Sequence, residues 1–315
     1  MEINISKKLE KININGEIIP NAPMCNYTSF KTGGTADILI VPRGYHDLIK
    51  IMEFSGEYNI PVFILGGGAN ILVADRGIRG IVIEMSKFNE VNFKNDICSS
   101  GAGLPISSLA ETAANNNWGG LDFIYGMPGT VGGAVWMNAR CYNVSVSDIL
   151  VNVKYIDKNL NIINLGRNEI KTSFAYKISP FQKSDRIILS ASFKLKKGIK
   201  TDIWEKMVDH KKDREQKGHY KFPSAGSVFK NNRNFGRPTG EIIDSLGLKG
   251  YSIGGAKIAD FHGNIIINTG DAKSGEIKKI IDYTIKTVKE NTGFSLEPEV
   301  QLIGDWDRGK NEYMD

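Results

Sequence analysis

The stretch that decides the fold is LGGGANILVADRG, at residues 65–77. A short apolar segment, VFIL at 62–65, runs directly into three glycines, and a second apolar segment, ILV at 71–73, follows Asn70. Successive bare backbone N–H groups in such a turn form a concave site that suits a pyrophosphate. An ordinary tight turn between two strands explains the pattern equally well. The G-x-G-x-x-G spacing is absent and a strand follows, so a Rossmann fold is not favoured.

The segments around this stretch alternate between strand and helix patterns. The run ADILIVP at 36–42 predicts a strand, and apolar residues at helical spacing predict a helix over 45–58. Further strands are predicted at 81–85, 150–156, 187–195 and 296–303, and further helices begin near 105, 203 and 277, the last of them ending at Gly293.

The composition is that of a soluble globular protein. Hydrophobic residues make up 41% and charged residues 24% of the 315 residues, and no apolar run is long enough to cross a bilayer. Residues 1–15 lack the apolar core of a signal peptide, and three widely spaced cysteines argue against a disulfide framework. We therefore expect a cytoplasmic protein with no membrane partner. No Cys or His spacing indicates a metal site, and the net charge of +5 suits an anionic small ligand as well as nucleic acid.

A second glycine-rich stretch is GMPGTVGGAVWMNARCY at 126–142. Four glycines within eight residues, followed by an apolar run, could lay flat backbone against a planar ligand such as an isoalloxazine ring. The other explanation is a loop that packs two elements closely together, and from this stretch alone that explanation is the better one.

Two later stretches contain polar groups that could do chemistry. In PSAGSVFKNN at 223–232, a serine could be a nucleophile, a general acid or a turn residue; G-x-S-x-G is absent, so acyl transfer has little support. In LEPEVQLIG at 296–304, Glu299 is predicted on a strand, either at an exposed edge or facing a pocket. The basic residues at 194–221 are typical of a solvated helix face, and a subset could meet phosphates.

Taken in order, these segments resemble the UDP-N-acetylenolpyruvoylglucosamine reductase family. The matching stretches are NYTSFKTGGTAD (26–37), LGGGANILVADRGIRGIVIEM (65–85), GLDFIYGMPGTVGGAVWMNA (120–139), SFAYKISPFQ (173–182), PSAGSVFKN (223–231), GGAKIADFHGNIIIN (254–268) and LEPEVQLIG (296–304). Each is weak alone, but seven in the same order are specific. The chain resembles the shorter class of the family, which lacks an extra substrate-capping loop.

The resemblance implies an α+β fold and an FAD cofactor. It places a two-lobed FAD-binding PCMH-type domain, as in vanillyl-alcohol oxidase, at 26–197, with lobes at 26–86 and 87–197. An α+β substrate-binding domain follows at 198–305. The pyrophosphate of FAD would lie on the turn of Gly66, Gly67, Gly68, Ala69 and Asn70. The flavin ring would lie against Gly126, Pro128, Gly129, Gly132, Gly133 and Asn138.

The resemblance also implies a reaction. The protein would be an NADPH-dependent flavoprotein oxidoreductase of peptidoglycan synthesis, and so of cell wall biogenesis, cell shape and cell division. It would reduce the enolpyruvyl group of UDP-N-acetylglucosamine enolpyruvate to the lactyl ether of UDP-N-acetylmuramate. Ser227 would donate the proton and Glu299 would polarise the carboxylate end, while Lys230, Asn231 and Tyr176 would bind the substrate. The expected partners are the UDP-sugar and NADPH, with no nucleic acid, and the expected state is a monomer.

This sequence departs from the family pattern at two places. Lys177 stands where the family has the arginine of Y-R-x-S, and Arg140 replaces a small residue after M-N-A. A lysine lacks the planar fork with which arginine grips a carboxylate. We therefore hypothesise that Arg140 and Lys177 jointly replace that arginine. The sequence supports equally well the alternative that Lys177 alone replaces that arginine and that Arg140 points to solvent.

Two other functions stay open at this point. One is another FAD enzyme of the same flavin fold, such as a sugar or hydroxy-acid oxidase. Such enzymes often bind flavin covalently, and no His or Cys here lies in an evident attachment context, so FAD is expected to be non-covalent. The other is a non-catalytic nucleotide-sugar-binding protein. A yellow purified protein supports an enzyme, and a colourless one that cannot take up FAD supports a binder.

Overall fold

The computed structural model describes Leu9 and residues 12–306 of the chain. The expectation about a signal peptide falls largely on residues 1–8, 10 and 11, which lie outside the described residues. The helices are α1 (Tyr45–Tyr58), α2 (Ile106–Asn115), α3 (Val131–Trp136), α4 (Val146–Ile149), α5 (Arg167–Ser173), α6 (Lys200–Gln216), α7 (Thr239–Ser245) and α8 (Ser274–Thr292), with 3-10 turns at Met24–Asn26, Asp122–Ile124 and Arg233–Phe235.

The strands are short, and most have between two and seven residues. They are β1 (Glu17–Pro23), β2 (Thr35–Val41), β3 (Val62–Leu65), β4 (Ile71–Val73), β5 (Ile78–Glu84), β6 (Val91–Lys94), β7 (Ile97–Gly101), β8 (Trp118–Gly119), β9 (Arg140–Cys141), β10 (Val144–Ser145), β11 (Leu150–Ile156), β12 (Ile162–Gly166), β13 (Ile187–Lys194), β14 (Lys196–Lys197), β15 (Ser224–Ser227), β16 (Ser252–Ile253), β17 (Ala256–Ile258), β18 (Ile265–Asn268) and β19 (Gln301–Ile303).

The chain folds into two compact units, neither of them continuous in sequence. Unit 1 comprises Leu9, residues 12–19, Leu39–Gly67 and Val82–Arg214. Unit 2 comprises Pro20–Ile38, Gly68–Ile81 and residues 215–306. The chain passes from one unit to the other after Ile19, Ile38, Gly67, Ile81 and Arg214, and β1, β2 and β5 contain three of these points. The domain bounds 26–197 and 198–305 stay a prediction.

Unit 1 contains an antiparallel five-stranded sheet in the order β12-β11-β13-β7-β6. Alternation along β13 buries Ile187, Leu189, Ala191 and Phe193, although Ile188 beside them is buried too. Helix α3 packs on β13 and β7, and its Val131 and Val135 enter the same core. The middle of the glycine-rich stretch at 126–142 is therefore packed on this sheet.

Unit 2 contains the antiparallel sheet β15-β18-β17-β16, with α8 packed on β17 and β16. The apolar face of α8 is buried, through Ile277, Ile280 and Val288. The helix begins where the Asp75 carboxylate accepts the N–H groups of Ser274 and Gly275, both at 2.8 Å. It ends before Gly293, whose φ of 75° is the left-handed conformation that favours glycine. Strand β19 pairs in parallel with β4.

The predicted α+β class is confirmed. The helix at 45–58 and the strands at 62–65, 71–73 and 150–156 have the predicted bounds. Among the described residues no helix is both long and apolar enough to cross a membrane.

Two strand predictions need correction. The strand expected at 81–85 is Ile78–Glu84, and the strand expected at 296–303 is only Gln301–Ile303, so Glu299 precedes it instead of lying on it. The reason is Pro298, which has no N–H to donate and forms only an isolated bridge with Phe229. Regular pairing begins only at Gln301, opposite Ile71 of β4.

Candidate functional site

In unit 1 the start of the first glycine-rich stretch, at Gly66 and Gly67, lies against the second one. A Cβ on Gly67 would lie 2.7 Å from the Cα of Gly129, and one on Gly66 would lie 2.6 Å from the Oγ1 of Thr130. Both distances are too short for a carbon atom, so only glycine lets the segments approach this closely. The family resemblance implies FAD contacts on both segments, and the structure brings the two segments together.

The turn at 66–69 offers free backbone donors. The N–H groups of Gly66, Gly67, Gly68 and Ala69 have no hydrogen-bond acceptor among the described residues. The turn itself is held in place by other groups: the N–H of Ser29 donates to the O of Gly68 at 3.0 Å. Successive N–H groups without protein acceptors are the donor set that an anionic group such as a pyrophosphate requires.

The end of α3 holds the loop that carries Tyr176 and Lys177. Asn138 is 2% exposed, and its Nδ2 donates to the O of Ala175 at 2.7 Å. The Oγ of Ser179 donates to the O of Trp136 at 2.6 Å. The Asn138 side chain is thus hydrogen-bonded to another part of the protein. Any contact that this residue makes with a flavin would have to come from its backbone.

Lys177 has a φ of 58°, the left-handed conformation, which is uncommon for a residue with a side chain. The Nε2 of Gln182 donates to the O of Lys177 at 3.1 Å and to the O of Trp136 at 3.0 Å. These bonds fix the backbone of Lys177 to the end of α3. Tyr176 beside it is 45% exposed.

Arg140 lies on the short hairpin of β9 and β10, where it pairs with Ser145. Its Nη1 donates to the Oγ of Ser145 at 3.0 Å, and the residue is half-buried. Tyr142 at the tip stacks on His210 with 4.0 Å between ring centroids, and its OH donates to Asp213 at 2.7 Å. Burial, followed by the bond to Asp213, raises the pKa of Tyr142 above its usual range. The hairpin is therefore anchored on α6.

In unit 2 the strand that carries Ser227 runs beside the segment of Glu299. Ser227 is the last residue of β15, and the N–H of Glu299 donates to the O of Val228 at 2.7 Å. The N–H of Lys230 donates to the O of Glu297 at 2.9 Å. Ser227 and Glu299, 72 positions apart in the sequence, are therefore brought together by backbone pairing, and both are half-buried.

Asn70 ties the turn to this segment within unit 2. Its Nδ2 donates to the O of Glu299 at 3.0 Å, and its O accepts the N–H of Gln301, also at 3.0 Å. The residue at the end of the predicted pyrophosphate turn thus helps to fix the backbone of Glu299.

The predicted substrate-binding residues of unit 2 already have protein partners. Lys230 forms an ion pair with Glu297, and the Oδ1 of Asn231 accepts the N–H of Thr239 at 2.9 Å. Their roles towards a substrate stay predictions.

Sequence reasoning missed Thr130 and Asn264. Thr130 is the N-cap of α3, where its Oγ1 accepts the N–H of Gly133 at 3.3 Å. A threonine just before a helix is a recognisable signal. Asn264 had no such signal, because its bonds join it to Val228 and Phe229, the latter 35 positions away.

The fold and these two glycine-rich segments define an FAD-binding oxidoreductase. The model of the FAD binding domain family matches residues 36–166, which include both segments. The model of the UDP-N-acetylenolpyruvoylglucosamine reductase C-terminal domain matches residues 218–303. The chain belongs to the UDP-N-acetylenolpyruvoylglucosamine reductase family.

Individual relatives agree with this assignment. The UDP-N-acetylenolpyruvoylglucosamine reductase of Treponema denticola is 44% identical over 299 residues, which cover 90% of this chain and 93% of the relative. That of Borreliella burgdorferi is 41% identical over 305 residues, 96% of this chain and 99% of the relative. The crystal structure of the Thermus caldophilus enzyme is 30% identical, with a TM-score of 0.77 over 92% of this chain and 100% of that one.

Proposed function

We propose that this protein reduces the enolpyruvyl group of UDP-N-acetylglucosamine enolpyruvate to the lactyl ether of UDP-N-acetylmuramate, with NADPH as the reductant. The reaction belongs to the synthesis of peptidoglycan precursors. The observation that carries the residue roles is the backbone pairing in unit 2 that places Ser227 beside the Glu299 segment.

The residues of unit 1 and of the turn fit FAD. Four N–H groups, on Gly66 to Ala69, are available to a pyrophosphate. Gly133 is exposed within α3, and a Cβ there would meet only the Oγ1 of Thr130, at 3.6 Å. Protein packing does not explain a glycine at that helical position, whereas a flat ligand against this face does. Bound FAD supplies hydride transfer from NADPH to the enolpyruvyl double bond.

Ser227 is the group proposed to deliver the proton. Reduction of the enolpyruvyl group develops negative charge on the carbon next to the carboxylate, and that carbon must be protonated. An alcohol is a weak acid, but a carbanionic carbon is a strong base, so a well-placed hydroxyl suffices. Glu299, on the neighbouring segment, is proposed to polarise the carboxylate end of the substrate.

Positive charge is the second requirement, since the developing charge spreads into the substrate carboxylate. Lys177 is proposed to supply it, because the loop that carries it is pinned to α3 by Gln182 and Ser179. Arg140 is proposed to share this role. Lys230, Asn231 and Tyr176 are proposed to contact the UDP-sugar.

We further propose that the protein acts in the cytoplasm as a monomer, without nucleic-acid or membrane partners. All three cysteines, Cys25, Cys98 and Cys141, are free thiols, which is typical of a reducing compartment. Burial raises the pKa of Cys98 to about 12, so that thiol is unreactive near neutral pH.

The test compares Ser227→Ala with Ser224→Ala, the same substitution in the same strand. In rapid mixing, Ser227→Ala is expected to oxidise NADPH at the parent rate, because that step needs no proton from this side chain. Reduction of the UDP-sugar substrate should slow by about 10²- to 10⁴-fold, the usual contribution of a general acid. Ser224→Ala should be unaffected in both steps. Equal slowing of both steps by Ser227→Ala would make Ser227 a structural residue.

A further inference from the structure

The strand that carries Ser227 leaves its sheet directly after that residue. Ser227 of β15 pairs with Ile265, the first residue of β18, so Val228 and Phe229 have no strand of this sheet beside them. Both residues are nevertheless buried, at 0% and 2% exposure. Buried backbone groups need hydrogen-bond partners, and these must come from outside the ladder.

Asn264 provides those partners. Its backbone O accepts the N–H of Val228 at 2.9 Å. Its Oδ1 accepts the N–H of Phe229 at 2.9 Å, and its Nδ2 donates to the O of Phe229 at 2.8 Å. A carboxamide has the same donor and acceptor as a peptide group, so this side chain extends the sheet by one further pair of bonds.

On its other side, the backbone of Val228 and Phe229 pairs with the segment of Glu299. The O of Val228 accepts the N–H of Glu299, and Phe229 forms a bridge with Pro298. Residues 228–229 are therefore held from both sides, by Asn264 on one and by 298–299 on the other. Together these bonds define a clamp, made of the Asn264 side chain and residues 228–229.

The chain before Ser227 does not provide the same restraint. The register of β15 against β18 is irregular between Ser224 and Ser227. Gly226 within this bulge has a φ of 70°, and a Cβ on it would meet no atom within 4 Å. The backbone on this side is open and permissive. Beyond the pairing of Ser227 with Ile265, the restraint on the peptide that follows Ser227 therefore comes from the clamp.

We infer that Asn264 is a positioning residue for proton delivery by Ser227. This inference rests on the function proposed above. Asn264 acts through the backbone at 228–229, without touching the substrate itself. It fixes the peptide that follows Ser227 and so the place of the hydroxyl relative to the acceptor carbon. Small misplacements of a reacting group are costly: a shift of about 1 Å can slow a step by about 10²-fold.

The main experiment compares Asn264→Ala with Asn268→Ala. Asn268 is the matched control, because it lies on β18, is also 3% exposed, and uses its side chain on Phe30, Gly270 and Ala272. Both variants lose a buried, hydrogen-bonded amide. Asn264→Ala is expected to slow reduction of the UDP-sugar by about 10²-fold while NADPH oxidation stays at the parent rate. Asn268→Ala is expected to slow neither step. Equal slowing of both steps by Asn264→Ala would overturn the inference.

A double-mutant cycle with Ser227→Ala separates this inference from the proposed function. If Asn264 acts through Ser227, the double variant should reduce the substrate no more slowly than Ser227→Ala alone. Slowing that multiplies would overturn the inference and leave the role of Ser227 intact. A Ser227→Ala enzyme that reduces the substrate at the parent rate would overturn the proposed role, and the inference with it.

Amide hydrogen exchange provides a measurement that does not depend on enzymatic activity. In the unliganded protein, the amide of Phe229, which loses its side-chain acceptor, should exchange faster in Asn264→Ala than in the parent or in Asn268→Ala. Unchanged exchange would overturn the inference. If Asn264→Ala fails to fold, Asn264→Asp takes its place in all three measurements. It keeps the acceptor for the Phe229 N–H but, when ionised, faces the Phe229 O with a carboxylate oxygen in place of a donor, so the same outcomes are expected.

Discussion

Substitution of Gly133 by alanine is expected to change the stability of the apoprotein and its affinity for FAD in opposite directions. Gly133 is exposed on α3, and the nearest atom to an added Cβ would be the Oγ1 of Thr130 at 3.6 Å, an ordinary van der Waals contact. Alanine is favoured over glycine in a helix by about 1 kcal/mol. The apoprotein of Gly133→Ala should therefore be as stable as the parent or melt up to about 4 °C higher.

FAD binding should change in the opposite direction. If the flavin ring lies against this stretch, the added methyl group occupies the contact surface. Overpacking of a close contact costs about 1–3 kcal/mol, which corresponds to a Kd roughly 5- to 150-fold weaker. Thermal unfolding of the apoprotein by circular dichroism gives the first quantity. Titration of FAD, followed by quenching of its fluorescence, gives the second.

Gly67→Ala is the contrasting variant. A Cβ on Gly67 would lie 2.7 Å from the backbone Cα of Gly129, so a shift of the main chain is unavoidable. This variant should lower the melting temperature of the apoprotein itself. A Gly133→Ala protein that binds FAD with the Kd of the parent would refute the placement of the flavin against α3.

Two further predictions concern charge. Arg140→Ala and Lys177→Ala should each slow substrate reduction in rapid mixing, and the double variant should be non-additive if both cations stabilise one carboxylate; an Arg140→Ala enzyme with the rate and substrate affinity of the parent would exclude a shared role. Burial lowers the pKa of His262 below its usual 6.5, so the folded protein favours the neutral ring. Stability from this group is complete above about pH 6.5 and declines as the pH falls below it, and thermal unfolding across this range should show a smaller decline in His262→Gln.

The sequence predicted the elements whose signal is local. Helix α1 was found because Leu48 and Ile51 recur at helical spacing. Helix α8 was found because Ile277, Ile280 and Ile281 recur in the same way, and Gly293 marks its end. The strands β6 and β7 were not predicted, because β6 has only four residues and none of them is fully buried, and the middle of β7 consists of Cys98, Ser99 and Ser100. What makes them strands is their pairing with each other and the pairing of β7 with β13, which their own residues do not reveal.

The site was predictable only in part, for the same reason. Glycine marked Gly66 and Gly67 as places of close approach, but the atoms they approach belong to Gly129 and Thr130, more than 60 positions away. The strand assigned to Glu299 was wrong, since Pro298 interrupts the pairing. The clamp on the Ser227 strand depends on a single asparagine before β18, and an asparagine after glycine is typical of an ordinary turn.

The scattered composition of unit 2 has a consequence for biosynthesis and for the design of fragments. Its segments Pro20–Ile38 and Gly68–Ile81 leave the ribosome long before the residues from 215 onward that complete their core. Phe30 and Leu72 pack in the same core as Ile277 and Val300, and β4 is the partner of β19. Until the residues from 215 onward are synthesised, the apolar side chains of the early segments have no core to pack into. Exposed apolar surface of this kind is what chaperones protect from aggregation. For the same reason, a fragment that begins at residue 215 would lack Phe30, Leu72 and β4, the strand that pairs with β19.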